Sequence, residues 1–152
     1  MRVAIVAVGR LRPGPEQALV RHYAERLNWP LAILEVEEKR PLPAAERRAR
    51  ESRLLLGAVP KGASIVALDA NGKSLASEAF AAKLAQWRDG GTAEIAFLIG
   101  GADGLAPELL QKANFVLSLG SMTWPHLLVR GMLLEQLYRA QQILAGHPYH
   151  RG

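Results

Sequence analysis

Short apolar runs rich in valine and isoleucine alternate along this chain with stretches of helical spacing. The apolar runs cover residues 2–8, 31–36, 63–69, 93–99 and 114–119. The helical stretches cover residues 15–28, 44–59, 77–89, 107–113 and 125–145. Strands that are apolar at nearly every position are typical of a parallel sheet covered by helices on both faces. The alternation therefore predicts the α/β class with a parallel sheet.

Length and composition indicate a single domain over residues 1–152. A chain of 152 residues buries roughly 70% of its unfolded surface on folding. Hydrophobic residues make up 49% and charged residues 22%, which are ordinary globular values. No apolar run reaches the roughly 18 residues of a membrane helix, so no membrane partner is expected. The absence of cysteine and of a cleavable leader predicts a cytoplasmic protein without disulfides.

The net charge favours an anionic partner. It is +5 at pH 7, and the sequence pI is about 10.0, which suits a protein that binds nucleic acid. The basic residues of segment 39–53 are interleaved with Glu46 and Glu51. This segment is therefore either a solvated helix face with internal ion pairs or a surface that contacts phosphates.

Three candidate ligand loops follow predicted strands, at residues 69–73, 100–104 and 120–124. The carboxyl ends of parallel strands are where ligands collect in such sheets. The glycines of 100–104 allow close backbone approach, but they do not form the dinucleotide fingerprint, and a packing turn is the alternative. Segment 71–74 resembles the end of a phosphate-binding loop, yet Ala67 stands where that motif needs glycine. A plain turn is predicted there, and nucleotide hydrolysis is disfavoured.

Metal and hydrolase chemistry find little support. His147 and His150 are spaced like metal ligands but have no third ligand nearby, so no metal is expected. Ser118 and Ser121 lack the nucleophile-elbow motif of a serine hydrolase. His126, at the start of the last helix, is either a packed residue or a functional one.

The last helix predicts a partner surface. Its apolar residues recur at three- and four-residue steps, and its other faces carry Leu127, Leu134, Tyr138 and Ile143. One sheet face does not need so much apolar circumference, so a homodimer is the simplest expectation. Arg130 and Arg139 on this helix are expected to form surface or dimer salt bridges, or to have a function.

The final residues have side chains suited to binding, at a chain terminus where chains are normally poorly ordered. Tyr149, His150 and Arg151 follow the predicted helix stop at Gly146. An aromatic ring can stack on a base and a guanidinium can hold a phosphate. The tail is therefore predicted to face a substrate, and a disordered remnant is the alternative.

Three stretches together resemble a known family. They are Phe97-Leu-Ile-Gly-Gly-x-x-Gly104, Leu117-Ser-Leu-x-x-Met-Thr-x-Pro-His126, and Glu135-Gln-Leu-Tyr-Arg-Ala140 running to His147-Pro-Tyr-His-Arg151. They resemble the RlmH family of SPOUT-class methyltransferases, which methylate N3 of a pseudouridine in 23S ribosomal RNA of the large subunit. The resemblance implies a C-terminal trefoil knot, an exception to the rule that chains do not knot. It also implies a homodimer in which the tail of one protomer reaches the cofactor pocket of the other.

The resemblance implies specific residue roles. S-adenosylmethionine would contact Leu68, Gly100, Leu119, Gly120, Ser121, Met122, Thr123 and Trp124. Gly120 departs from the serine of several relatives, which removes one polar contact. His150 is the first candidate to take the N3 proton or hold the base, Tyr149 and Arg151 would place base and phosphate, and Glu135 is the second candidate base. The substrate would be rRNA within the subunit or ribosome, and a non-catalytic ribosome-associated RNA-binding protein is the alternative.

Overall fold

Strands and helices alternate through the chain as the sequence predicts. The computed structural model describes residues 1–151, and side chains over residues 1–149. The strands are β1 Arg2–Val8, β2 Leu31–Val36, β3 Ser64–Ser74, β4 Glu94–Ile99 and β5 Phe115–Ser118. The α-helices are α1 Pro15–Ala24, α2 Ala44–Ala58, α3 Ser77–Asp89, α4 Pro107–Lys112 and α5 His126–Leu144. A 3-10 helix, Pro148–Arg151, follows α5.

The five strands form one parallel sheet in the order β2-β1-β4-β3-β5. The predicted α/β class with a parallel sheet is confirmed. Because every strand points the same way, the loops that follow β4 and β5 meet at one edge of the sheet. This edge holds the candidate ligand loops.

Apolar cores lie on both faces of the sheet. Strand β1 contributes to both, because successive side chains point to opposite faces. Val3, Ile5 and Ala7 face a core with residues from α1, α3 and α5. Ala4 and Val6 face a second core, built with residues of α2 and α4. The continuous apolar run at residues 2–8 is therefore a strand buried on both faces.

Two elements differ in length from the prediction. Helix α1 ends at Ala24 rather than at residue 28, because the following segment bonds to α5: the Asn28 N–H donates to Gln141 Oε1 (2.6 Å), and Gln141 Nε2 donates to the Arg26 carbonyl (3.1 Å). Strand β3 continues to Ser74. The described helices include none that is long and apolar enough to span a membrane.

The predicted turn at 71–74 lies inside β3. Leu68 and Lys73 both pair with Leu117 of β5, so residues 69–72 form a bulge between them. Asp69 Oδ2 accepts a hydrogen bond from the Asn71 N–H (2.9 Å), which closes the turn. The strand then resumes, so the plain turn after β3 was an incomplete prediction.

Candidate functional site

A cleft of about 250 Å³ opens at the carboxyl ends of β3, β4 and β5. Its walls are the bulge of β3, the glycine turn after β4 and the loop after β5. Seven of the eight residues predicted to hold the cofactor line it: Leu68, Gly100, Leu119, Gly120, Met122, Thr123 and Trp124. Ser121, the eighth, is exposed and does not line the cleft. We call this the cofactor cleft.

The glycine turn after β4 folds back on itself. The Gly104 N–H donates to the Gly101 carbonyl (3.1 Å), and Gly104 has φ +76°, a conformation that favours glycine. A Cβ atom on Gly100 would lie 2.8 Å from the Gly104 carbonyl oxygen. A side chain at position 100 is therefore excluded for steric reasons, and the backbone of this glycine forms part of the cleft wall.

The loop after β5 is held by a buried serine. Ser118 Oγ accepts a hydrogen bond from the Gly120 N–H (3.0 Å) and donates to the Ala70 carbonyl in the β3 bulge (3.0 Å). Trp124 Nε1 donates to the Leu119 carbonyl (3.4 Å), which closes the other end of the loop. Ser118 thus joins two walls of the cofactor cleft.

Gly120 has a conformational reason to be glycine. Its φ is +113°, in the region that L side chains rarely adopt. A Cβ atom there would meet nothing within 4 Å. Glycine at this position therefore relieves backbone strain rather than crowding.

The rim of the cofactor cleft is apolar and open. Met122 is 73% exposed and Trp124 is 41% exposed, among the few large hydrophobic residues on the described surface. Exposed apolar side chains grouped at a cleft are typical of a binding site. A ligand or partner that covered them would remove apolar surface from water.

His126 also lines the cofactor cleft, which settles where this residue lies. It begins α5 and is half-buried, and a Cβ atom on Gly9 would lie 3.4 Å from its Nε2. Burial, and then the nearby Arg130 guanidinium, lower the pKa of the His126 imidazole. The imidazole is therefore neutral at neutral pH and can donate or accept a hydrogen bond.

A second, apolar cleft of about 580 Å³ lies between α1, α3 and α5. Leu117, Leu119 and Gly120 belong to both clefts. Glu135 lines the second cleft and not the cofactor cleft. The loop after β5 is therefore the wall that the two clefts share.

Glu135 is the centre of a polar cluster with the tail. Its Oε1 accepts hydrogen bonds from Arg139 Nη2 (2.6 Å) and from the Tyr149 hydroxyl (3.3 Å). Its Oε2 accepts from Gln136 Nε2 (3.0 Å). The Tyr149 ring packs edge-on against Tyr138, with ring centroids 4.8 Å apart. Burial first, then hydrogen bonding to Tyr23 and the Glu135 charge, raise the pKa of the Tyr149 hydroxyl.

The predicted catalytic residues are thus only partly placed. Tyr149 and Glu135 lie together, and Glu135 lines the second cleft, which shares only Leu119 and Gly120 with the predicted cofactor residues. The side chains of His150 and Arg151 lie outside the described part of the chain. Among the residues that are described, no group of three or more His, Asp or Glu is arranged to hold a metal ion.

Sequence reasoning assigned no cofactor role to some residues of the cleft, although most of them lie in its candidate ligand loops. Asp69, Ala70, Gly101 and His126 line the cofactor cleft. The signal was present, because each lies in or next to a loop that follows a predicted strand. His126 stayed ambiguous because a histidine at the start of an apolar helix is as often packed as functional.

Comparisons with known proteins agree with this architecture. Residues 1–150 match the family model described as "Predicted SPOUT methyltransferase". A protein of Rhodospirillum centenum named ribosomal RNA large subunit methyltransferase H is 59% identical over 152 residues, with both chains covered completely. Proteins of the same name from Rhodospirillum rubrum and Paramagnetospirillum magneticum are 56% and 54% identical, with 99% or more of each chain covered.

Solved structures show the same fold at low sequence identity. A probable methylase family protein from Haemophilus influenzae has a TM-score of 0.59 at 13% identity, covering 97% of this chain and 69% of that one. The SpoU methyltransferase AviRb from Streptomyces viridochromogenes, solved with AdoMet, has a TM-score of 0.51 at 16% identity, covering 94% and 61%. With the family model and the full-length relatives, they confirm the resemblance: the chain belongs to the SPOUT methyltransferases, in the family of its ribosomal RNA large subunit methyltransferase H relatives.

Proposed function

We propose that the chain is an S-adenosylmethionine-dependent methyltransferase that modifies N3 of a pseudouridine in 23S rRNA of the large subunit. The relatives named ribosomal RNA large subunit methyltransferase H support the substrate class. The observation that carries the proposal is the gathering of seven expected cofactor residues around one cleft. The pseudouridine position comes from the family resemblance.

The cofactor cleft fits the chemistry of S-adenosylmethionine. Its glycine turn presents backbone without side chains, since a Cβ on Gly100 would meet the Gly104 backbone at 2.8 Å. Backbone groups of such a turn can hydrogen-bond an adenine, while Leu68 and Leu119 offer apolar contact to its faces. The bound group supplies a methyl group activated by a sulfonium. The residues around it position the reacting atoms, which is a large part of catalysis for a displacement of this kind.

The tail residues have separable roles in this proposal. Tyr149 is a phenol at neutral pH, as a tyrosine ordinarily is, and burial raises its pKa further. It therefore acts as a hydrogen-bond donor and stacking surface. Both oxygens of Glu135 accept hydrogen bonds, from Arg139, Tyr149 and Gln136. Glu135 is therefore suited to holding the tail in place. His150 is the proposed acceptor of the N3 proton, and Arg151 the proposed phosphate contact.

The site requires two protomers in this proposal. Tyr149 and Glu135 do not line the cofactor cleft of their own chain, so a tail that acts on a bound cofactor must reach the cleft of a second copy. The open apolar cleft beside α5 offers a surface for that copy. The trefoil knot also belongs to this proposal, as does a cytoplasmic location, where ribosomes are found.

Methyl transfer to ribosomes tests the function directly. Ribosomes purified from a bacterial strain that lacks this modification are incubated with the protein and S-adenosylmethionine labelled at the methyl group. We expect label in 23S rRNA at a single pseudouridine, with the methyl at N3 by mass spectrometry of the digested RNA. Free 23S rRNA and isolated large subunits, assayed in parallel, identify the substrate form. Binding to ribosomes without label transfer would instead favour a non-catalytic RNA-binding protein.

The variant Gly100→Ala makes the test specific to the cofactor cleft. The added Cβ displaces the Gly104 backbone, so we expect S-adenosylmethionine to bind at least about tenfold more weakly by calorimetric titration. Gly57→Ala is the matched control, because a Cβ on this exposed glycine of α2 meets nothing within 4 Å. Equal affinity in Gly100→Ala and the wild type would contradict the assignment of the cleft.

A further inference from the structure

Helix α2 packs against the glycine turn, and none of its residues lines the cofactor cleft. Ser52, which is 3% exposed, accepts a hydrogen bond through Oγ from the Ala106 N–H (2.9 Å). Arg47 Nη1 donates to Asp103 Oδ2 (3.5 Å). Two side chains of α2 thus hold the segment 101–106 at two points.

Glu51 lies between these two contacts and is buried. Its residue is 6% exposed, and its Oε1 has no hydrogen-bond partner among the described residues. A Cβ atom on Gly101 would lie 3.2 Å from both carboxyl oxygens and 3.0 Å from Val8 Cγ1. Any side chain at position 101 would therefore push against the carboxyl group. Gly101 allows the close approach.

Gly101 also lines the cofactor cleft. Gly101 therefore lies against the Glu51 carboxyl group and also forms part of the cleft wall, whereas Glu51 itself does not line the cleft. A displacement of the carboxyl group would be transmitted directly to the wall that a ligand touches.

We propose that Glu51 is a positioning residue for the cofactor cleft, and that its buried carboxyl group supports the 100–104 turn from outside the cleft. The inference rests on the proposed function, because it takes S-adenosylmethionine as the ligand of that cleft. It assigns Glu51 no contact with the cofactor or the RNA.

The support depends on the protonation state of Glu51. The charged groups that face it are Asp103 of the turn, Arg47 of α2 and Glu38 from the segment before α2. Burial first, and then the Asp103 charge, raise the pKa of the Glu51 carboxyl group, while Arg47 opposes this. The neutral acid is the form that burial beside Asp103 favours. Ionisation places a second negative charge beside Asp103, so the support is present below the pKa of Glu51 in the folded protein and is lost as the pH rises through it.

Two substitutions distinguish support of the 100–104 turn by the Glu51 carboxyl group from simple filling of space by the side chain. Glu51→Gln keeps the shape and a neutral polar group at all pH values, whereas Glu51→Leu removes the polar group at similar volume. Glu46→Gln is the matched control, because Glu46 is exposed in the first turn of the same helix. Calorimetric titration with S-adenosylmethionine from about pH 5 to about pH 9 gives the affinity of each protein from just above the ordinary carboxyl pKa upwards. Thermal unfolding of each protein without ligand reports the stability of the fold.

We expect Glu51→Gln to bind as tightly as the wild type at low pH and to lose the weakening that the wild type shows as the pH rises. Glu51→Leu is expected to bind about tenfold more weakly at low pH, with a raised KM for S-adenosylmethionine and an unchanged kcat at saturation. A purely structural role for Glu51 would lower the thermal stability of Glu51→Leu without raising KM selectively over kcat. Wild-type affinity in Glu51→Leu, or the same pH profile in Glu51→Gln and the wild type, would overturn the proposal. If Glu51→Leu does not fold, the pH dependence of affinity in Glu51→Gln decides the question alone. Wild-type protein that fails to bind S-adenosylmethionine at any pH would refute the proposed function instead.

Discussion

The guanidinium of Arg130 joins three parts of the molecule at one buried point. It is fully buried, and its Nη1 donates to Glu35 Oε2 of β2 (2.5 Å). Its Nη2 donates to the carbonyl oxygens of Val8 (3.1 Å) and Gly9 (2.6 Å) at the end of β1. A buried charge is tolerated only when it is paired and hydrogen-bonded. Arg130 therefore fixes the first turns of α5, which follow the loop of the cofactor cleft, against the sheet.

Replacing Arg130 should destabilise the fold strongly. Arg130→Met retains much of the apolar stem but leaves Glu35 without its ion pair and two carbonyl groups without donors. We expect a loss of about 2–4 kcal/mol in the free energy of unfolding, measured in urea. Arg53→Met is the control, because Arg53 is exposed on α2 and surface changes cost at most about 0.5 kcal/mol. Equal midpoints for the two variants would show that the buried pair contributes little.

At the residue scale, the sequence predicts which residues gather at the cleft but not the distant partners of a buried side chain. Seven of the eight expected cofactor residues lie around one cleft, because motif residues after parallel strands must meet at one sheet edge. For Arg130 the sequence left open a surface or dimer salt bridge or a function, and the structure shows its buried guanidinium in an ion pair with Glu35 of the same chain. The partners of Arg130 are 95 and more positions away, and no local pattern signals which distant carbonyl groups a fold will present to a helix.

Helices and strands were more predictable, because their apolar periodicity is local. All ten predicted elements are present, most within a residue or two of their expected ends. The exceptions depend on distant partners. Helix α1 ends early because the segment after it bonds to Gln141, and strand β3 continues beyond the bulge because its last residues pair with β5. The turn predicted at 71–74 correctly indicated a bend, but strand pairing beyond the bend is set by Leu117. The apolar circumference of α5 is also partly explained within the chain, since α1 and α3 both pack on it.

The bulge of β3 allows an element-scale test at Gly72. A Cβ atom at this position would lie 2.7 Å from the carbonyl oxygen of Val116 in β5. Gly72→Ala must therefore push β3 and β5 apart, and we expect it to cost about 1–3 kcal/mol of unfolding free energy. Gly57→Ala in α2 should instead stabilise by about 0.5–1 kcal/mol, because alanine favours the helix and the space is open. Opposite signs in chemical denaturation are the expected result, and stabilisation by both would contradict the close approach of the two strands.

At the scale of the whole molecule, the candidate chemistry is divided between two clefts. The expected cofactor residues line one, while Glu135 lines the other and holds Tyr149. A chain that acted alone would have to bring its tail across the loop after β5. Two copies avoid this, because the tail of each can complete the cleft of the other.

Mixed dimers test whether the tail acts on the partner. One protomer carries Gly100→Ala, which weakens cofactor binding, and the other lacks residues 147–152, which removes the tail. At an S-adenosylmethionine concentration well below the Kd of Gly100→Ala, each variant alone should be nearly inactive in ribosome methylation, although the truncated protein should fold and bind S-adenosylmethionine. Co-expression with two affinity tags and purification on both yields only mixed dimers. We expect about half of the wild-type rate per dimer, because one of the two composite sites then has an intact cleft and an intact tail. An inactive mixed dimer would mean that each tail serves its own chain, and failure to recover any doubly tagged protein would mean that the chain does not pair.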